Sequence, residues 1–328
     1  VLKKALILAA GLGTRLRPIT ETVPKAMAPI VGKPILDYTL ALCKRSGLEQ
    51  CVINTHYFPD TVTSYFGDAY EEMTLQYSFE EELLENAGAL KNNEDFFHDE
   101  DSILVIASDN LAWIDLPAMV DFHRSKKSLA TIATVTADDV SRYGIAQVAS
   151  DGRILTFQEK PTKEEALGDQ VATCIYLFSN KIFHYIPHGK PVHFGKTVFP
   201  MLLQQQERVF AYRHDGYWND VGNAQSYLQA NLDVLDGKMP SPFTVAVTGE
   251  RSFVDASVVC EGKCSIKDSV IFPGVTLKDA TIEKSVLVDR SSVLASSLQH
   301  VVIGADSVVD HATLKDVAVW PSTVIKGL

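Results

Sequence analysis

Between Val254 and Val324 an aliphatic residue, or once a cysteine, returns every five or six positions, with small and polar residues between. The series runs Val254, Cys260, Ile266, Ile271, Leu277, Ile282, Val288, Val293, Leu298, Ile303, Val308, Leu314, Val319 and Val324. A β-sandwich would instead show period-two strands with turn signals every 8 to 12 residues or so. The interval is that of a left-handed parallel β-helix, in which one aliphatic per face points inward and three faces make a coil. The series stops in mid-repeat with no capping element. An uncapped coil exposes apolar rungs and strand edges, so this region is expected to drive homo-oligomer formation.

The preceding sequence has a different texture. From Lys3 to about Leu235, short aliphatic runs alternate with amphipathic segments, the pattern of a Rossmann-like α/β domain with a mixed, mainly parallel sheet. Strands are expected at "KALILAA", "QCVINTHY", "SILVIASDN", "LATIATVT", "YGIAQVA", "ILTFQEK" and "VATCIYLF". Pro34 is expected to open a helix carrying Ile35, Tyr38 and Leu42 on one face, with Gly47 ending it. The expected division is an α/β domain over 1–236, a Pro- and Gly-containing linker over 237–252 and the β-helix over 253–328. Two domains also suit a chain of 328 residues.

Composition narrows the partners. The net charge is -11, from 30 basic and 41 acidic residues, and the basic ones are scattered, which argues against nucleic acid. No run approaches the roughly 18 apolar residues of a membrane span, and no signal-peptide layout opens the sequence. Five cysteines, odd in number and mostly among apolar neighbours, are expected to be reduced core thiols of a cytoplasmic protein. Cys260 and Cys264 have half of a zinc-site spacing with no second pair, and prolines interrupt the histidine-rich "HYIPHGKPVH".

Residues 9 to 30, "AAGLGTRLRPITETVPKAMAPI", hold the strongest chemical signal. Gly11 and Gly13 follow a strand, but Leu16 stands where a dinucleotide loop needs its third glycine, and no P-loop ending is present. Two such glycines also fit a plain turn. Their company points to an anion: Thr14 can donate to phosphate, Arg15 is a permanent fork-shaped cation, and Lys25 is fixed behind Pro24. A triphosphate site acting chemically needs Mg²⁺, and Mg²⁺ needs carboxylates near strand ends. Asp109 ends the central apolar strand and Asp220 sits in "GYWNDVG", although either could serve as a cap or turn residue. In "FQEKP", Glu159 could accept from sugar hydroxyls and Lys160 could hold a phosphate, or the tripeptide could be an exposed turn.

These residues together resemble the sugar-1-phosphate nucleotidylyltransferases, which join a nucleoside triphosphate to a sugar 1-phosphate and release pyrophosphate. The signature Gly-x-Gly-Thr-Arg-Leu-x-Pro-x-Thr followed by Pro-Lys stands here as "GLGTRLRPIT" and "VPK". "YG" at Tyr143 and Gly144, "EKP", "FGKTVFP" and "GYWNDVGNAQSYLQAN" follow in the family's order. The resemblance implies that Ala10, Gly11, Gly13, Thr14, Arg15, Lys25, Asn86, Gly88 and Asp109 hold the nucleotide. It implies that Gly144, Glu159, Lys160 and Thr173 hold the sugar phosphate. Arg15, Lys25, Asp109 and Asp220 would be catalytic, the two aspartates binding Mg²⁺.

Three departures bear on substrate choice. Ser108 replaces the usual glycine before Asp109; Ala172 and Cys174 stand where many members have Asn and Gly; and Glu85 and Asn86 precede Ala87-Gly88 where the guanylyl branch has Gly-Thr. The wording "NTHYFPD" and "YWNDVG" nevertheless resembles that branch, so GTP and mannose 1-phosphate are the expected pair. Thymidylyl, uridylyl or adenylyl transfer to glucose 1-phosphate is the alternative, as is a non-catalytic nucleotide-sugar-binding regulatory subunit. An acyltransferase role for the β-helix would rest on His300 and His311 alone.

Overall fold

A computed structural model describes residues 2–17, 19–137, 140–245 and 247–327. Pro18 of the glycine-rich motif and Ala246 of the linker lie outside the described residues. The chain divides into two compact units, Val1–Gly11 with Thr39–Trp218, and Leu12–Tyr38 with Asn219–Leu328. Among the described residues no helix is long and apolar enough to cross a membrane.

The first unit is built on a 10-stranded mixed sheet. Lys4–Leu8 lies parallel between Gln50–Thr55 and Ser102–Ala107, and Met73–Phe79 continues the parallel set beyond Gln50–Thr55. These strands read as near-continuous aliphatic runs where they are buried on both faces, as in "SILVIA". On the other side of Ser102–Ala107 the direction reverses: Gln170–Ser179 is antiparallel to it, followed by Gly144–Val148 and Ile154–Glu159. Ala130–Thr136 pairs antiparallel with Gln170–Ser179 and parallel with Val209–Arg213. All seven expected strands form. Met73–Phe79 and Val209–Arg213 are strands beyond these seven; the first buries only Met73 and Leu75, too few apolar positions to mark a strand in sequence.

Behind the sheet, Phe178, Phe194 and Phe199 stack nearly parallel at 4.8 to 6.3 Å and are fully buried. Each contributes about 1.5–3 kcal/mol by leaving water. This cluster anchors the 190–199 segment, which reappears at the candidate site.

In the second unit the short repeat closes into three stacked parallel ladders, the arrangement of a left-handed β-helix. One ladder stacks Val254, Ile271, Leu287, Ile303 and Val319; the second Cys260, Leu277, Val293, Val309 and Ile325; the third Ile266, Ile282, Leu298 and Leu314. Three expected inward positions are corrected by one residue. Leu287, Val309 and Ile325 take the places expected for Val288, Val308 and Val324, and Val324 is exposed. Where two aliphatics are adjacent the interval alone does not choose between them; the corners do.

Most corners contain a residue with positive φ, in columns such as Arg251, Asp268, Lys284, His300 and Asp316. That reversal fixes which following side chain points in. The residue after the corner is often serine, and its hydroxyl satisfies backbone on the next coil. Ser269 Oγ accepts from Ser285 N at 3.1 Å, and Ser285 Oγ accepts from Val301 N at 3.0 Å, each 16 residues on. The small polar residues between the aliphatics are therefore the corner-forming and ladder-forming elements. His300 and His311 are both corner residues.

Candidate active site

The candidate residues are divided between the two units. In the second, Lys25 Nζ lies 3.6 Å from Asp220 Oδ1, with both side chains nearly buried. Local structure sets each partner. Lys25 opens a single helical turn behind Pro24, closed by Met27 N donating to Pro24 O at 2.8 Å. Asp220 precedes a tight turn, Gly222 N to Asp220 O at 2.7 Å, which leads into helix Ala224–Leu235 through a capping box between Asn223 and Ser226. That helix also grips the segment after Lys25: Tyr227 Oη donates to Pro29 O at 2.6 Å, and Asn231 Oδ1 accepts from Val31 N at 3.0 Å.

The loop ahead of Lys25 has one fixed glycine. Gly13 has φ +64°, and a Cβ there would meet Thr20 Cγ2 at 3.0 Å and Lys25 Cβ at 3.1 Å. Thr20 Oγ1 also donates to Gly13 O at 2.8 Å. Leu16, in place of a third glycine, is completely buried and pins the loop, while Thr14 and Arg15 stay exposed. Anchored backbone with an exposed hydroxyl and guanidinium is what an anion clamp requires.

In the first unit, the carboxyl ends of the parallel strands gather the other candidates. Leu8 stands opposite Ala107, so Ala10 and Gly11 leave the sheet at the same edge as Asp109. Ala10 is buried, whereas Gly11 is exposed with open space beside its Cα. Ser108 keeps the two strand ends together, its N–H and its Oγ both donating to Leu8 O, at 3.0 and 2.8 Å. The extra hydroxyl at this position is thus accommodated by a bond.

Glu159 is opposite Gly144 in the antiparallel pair; its carboxylate occupies the space a side chain at Gly195 would need, while the Phe157 ring fills that beside Gly144, where an added Cβ would also come within 3.2 Å of Glu159 Oε2. Lys160 follows with φ +51° and an exposed ammonium 3.9 Å from Glu159 Oε1. Tyr176 is fully buried; burial first, then the neighbouring Cys174 thiol, then the charges of Glu159 and Asp109 push its hydroxyl well above the usual range. Cys174 itself has φ +59° at the register break of Gln170–Ser179. His193, the last histidine of "HYIPHGKPVH", caps the next turn: its Nδ1 accepts from Gly195 N and Lys196 N at 3.0 and 3.2 Å. Burial lowers its pKa, against the opposing pull of Glu159 and Glu85, which keeps the ring an acceptor.

Several expected ligands have structural work. Thr173 is completely buried and its Oγ1 donates to Ala133 O at 2.9 Å, so its hydroxyl is not presented to a sugar phosphate. Asn86 Oδ1 accepts from Phe194 N at 2.7 Å, and Gly88 leaves room for Lys190 O, which would be 2.7 Å from an added Cβ. Of the five cysteines, Cys43 and Cys51 are core thiols, while Cys260 is exposed and Cys174 and Cys264 are half-buried. The expectation of core thiols thus holds for two of them. The others lie at a strand irregularity or on the first coil of the β-helix.

For Mg²⁺, the donor chemistry of Asp109 and Asp220 is suitable: both offer the hard oxygen ligands this ion takes. Among the described residues there is no group of three His, Cys, Asp or Glu side chains placed to hold a metal. One or two carboxylates complemented by substrate phosphates is the usual Mg²⁺ arrangement, so the residues fit that mode of binding.

A family model described as nucleotidyl transferase matches residues 4–237. The chain is 35% identical over 324 residues to a UTP–glucose-1-phosphate uridylyltransferase of Synechocystis sp., covering 90% of this chain and 83% of the relative. It is 30% identical over 298 residues to a mannose-1-phosphate guanylyltransferase of Mycobacterium tuberculosis, covering 88% and 82% respectively. A solved structure of UDP-glucose pyrophosphorylase complexed with UDP-glucose shares the fold, with a TM-score of 0.64 at 24% identity over 72% of this chain and 99% of that one. With this match spanning the loop, the strand-end carboxylate and the Lys25–Asp220 pair, the chain belongs to the nucleotidyl transferase family, among its sugar-1-phosphate nucleotidyltransferases.

Proposed function

We propose that this enzyme joins GTP to mannose 1-phosphate, forming GDP-mannose and pyrophosphate. The observation that carries the chemistry is Lys25 held 3.6 Å from Asp220 in a nearly buried setting. A cation fixed by packing and by a carboxylate can meet phosphate charge without reorganising. In this reading Gly11, Gly13, Thr14 and Arg15 hold the triphosphate, and Lys25 neutralises charge at the reacting phosphate. Lys160 holds the phosphate of the sugar and Glu159 accepts from its hydroxyls. Asp109 and Asp220 would hold Mg²⁺, which when bound screens the repulsion between the two substrates. No protein nucleophile is needed, because an oxygen of the sugar phosphate can attack the α-phosphorus in line once both substrates are aligned.

The choice of GTP is supported by Ala87-Gly88 in the base-bordering segment, which resembles the guanylyl branch, and by the mycobacterial relative. The Synechocystis relative supports a second reading, UTP with glucose 1-phosphate. Initial rates of pyrophosphate release with five nucleoside triphosphates against mannose and glucose 1-phosphates, in Mg²⁺, decide between them. The proposal expects the highest kcat/KM for GTP with mannose 1-phosphate. A higher value for any other pair overturns that assignment.

A further inference from the structure

Two buried polar residues, Asn54 of "NTHYFPD" and Glu80, connect the start of the glycine-rich loop to the 84–88 segment. Asn54 Oδ1 accepts from Ala9 N at 2.7 Å; Asn54 Nδ2 donates to Glu80 Oε1 at 2.8 Å; and Glu80 Oε2 accepts from Leu84 N at 3.0 Å. Both side chains are buried, and Glu80 backbone is fixed as well, its N–H donating to Thr55 O and its carbonyl accepting from His56 Nδ1, each at 2.8 Å.

The polarity of this chain is determined at every link. Ala9 N can only donate, so Asn54 must present its oxygen there and its NH₂ to Glu80; Leu84 N can only donate as well. Two donors therefore converge on the Glu80 side chain, which suits an acceptor-only carboxylate and not an amide. A buried network of this kind rigidifies what it joins when every member is satisfied.

We infer that Asn54 and Glu80 are positioning residues for nucleotide binding: they hold Ala9, one residue before Ala10-Gly11, in fixed register with Leu84 at the head of the segment carrying Asn86 and Gly88. The inference rests on the proposed reading that these two segments meet the nucleotide. Neither residue touches substrate. Their effect is to set the spacing between the part of the chain that borders the phosphates and the part that borders the base.

The bond polarity supplies a test. Glu80→Gln puts an NH₂ against one of the two donors, and Asn54→Asp sets two carboxylate oxygens against each other. In Asn54→Asp/Glu80→Gln the new aspartate accepts from Ala9 N and from the glutamine NH₂, and the glutamine oxygen accepts from Leu84 N, so every bond is restored with the charge moved by one residue. Each single variant is expected to raise the nucleotide KM by about tenfold or more, with the sugar 1-phosphate KM within about twofold, and the double variant to recover to within about threefold. The rise in melting temperature on adding GTP, or UTP if that is the better ligand, reads the same coupling without turnover. A thermal response lost in the single variants and regained in the double supports the network even if wild-type protein releases no pyrophosphate, a result that would count against the proposed activity alone. If the single variants do not fold, a folded double variant with near wild-type nucleotide binding supports it. Wild-type nucleotide binding in Glu80→Gln, or a double variant no better than the singles, overturns it.

Discussion

Lys25 Nζ and Asp220 Oδ1 are 3.6 Å apart although 195 positions separate them in sequence, and each is placed by its own local device, a Pro24-led turn for the lysine and a helix capping box for the aspartate. Removing either charge should therefore damage the chemistry more than the fold of its partner's element. Lys25→Ala and Asp220→Asn are each expected to lower kcat by about 100-fold or more. Pyrophosphate release by purified, folded variants checks this, and a loss of less than about tenfold in both would show that the pair does not act on the phosphates.

Cys174 concerns the other substrate. Its thiol is among the groups that raise the pKa of the buried Tyr176 hydroxyl, and its backbone has φ +59°, a conformation that glycine adopts without strain. Cys174→Gly is expected to leave the nucleotide KM unchanged while altering the relative kcat/KM of mannose and glucose 1-phosphates by several-fold. Equal ratios before and after the substitution would remove Cys174 from sugar selection.

Acid sensitivity should come partly from His123, which is buried, hydrogen-bonded to Thr131 Oγ1 at 2.8 Å, and lowered by burial from 6.5 to about 4. Above pH 6.5 both folded and unfolded chains carry it neutral, so its contribution is constant there. Below that, only the unfolded chain takes up the proton. Stability should then fall progressively as pH drops from 6.5 towards about 4, by up to about 3 kcal/mol in all. Melting curves across this range for wild type and His123→Gln test it: the variant should show a shallower pH slope, and identical slopes would exclude His123 as a cause.

Within the β-helix, Ser285 and Leu298 should behave differently from surface positions. Ser285→Ala leaves the Val301 N–H without its 3.0 Å acceptor, a loss of about 1–3 kcal/mol. Leu298→Ala opens a cavity among completely buried neighbours such as Ile282 and costs about 2–5 kcal/mol. Denaturant unfolding should resolve both. A Ser285→Ala variant as stable as wild type would mean that the ladder hydroxyls add little.

The sequence determined by itself whatever depends on local period and local backbone. The aliphatic interval specified a three-faced coil because each face needs one inward residue, and the strand-like runs specified a sheet whose parallel core begins at Lys4–Leu8. Gly13 and Pro24-Lys25 were legible because turn chemistry and fixed charge are properties of the residues in place. Tertiary structure decided what depends on distant partners. It chose Leu287 over Val288 through corner residues with positive φ, and it committed Thr173 to the Ala133 carbonyl. It also joined Asn54 to Glu80, a pairing that neither local segment announces, because a buried polar side chain acquires its role only from the donors and acceptors that folding brings within about 3 Å.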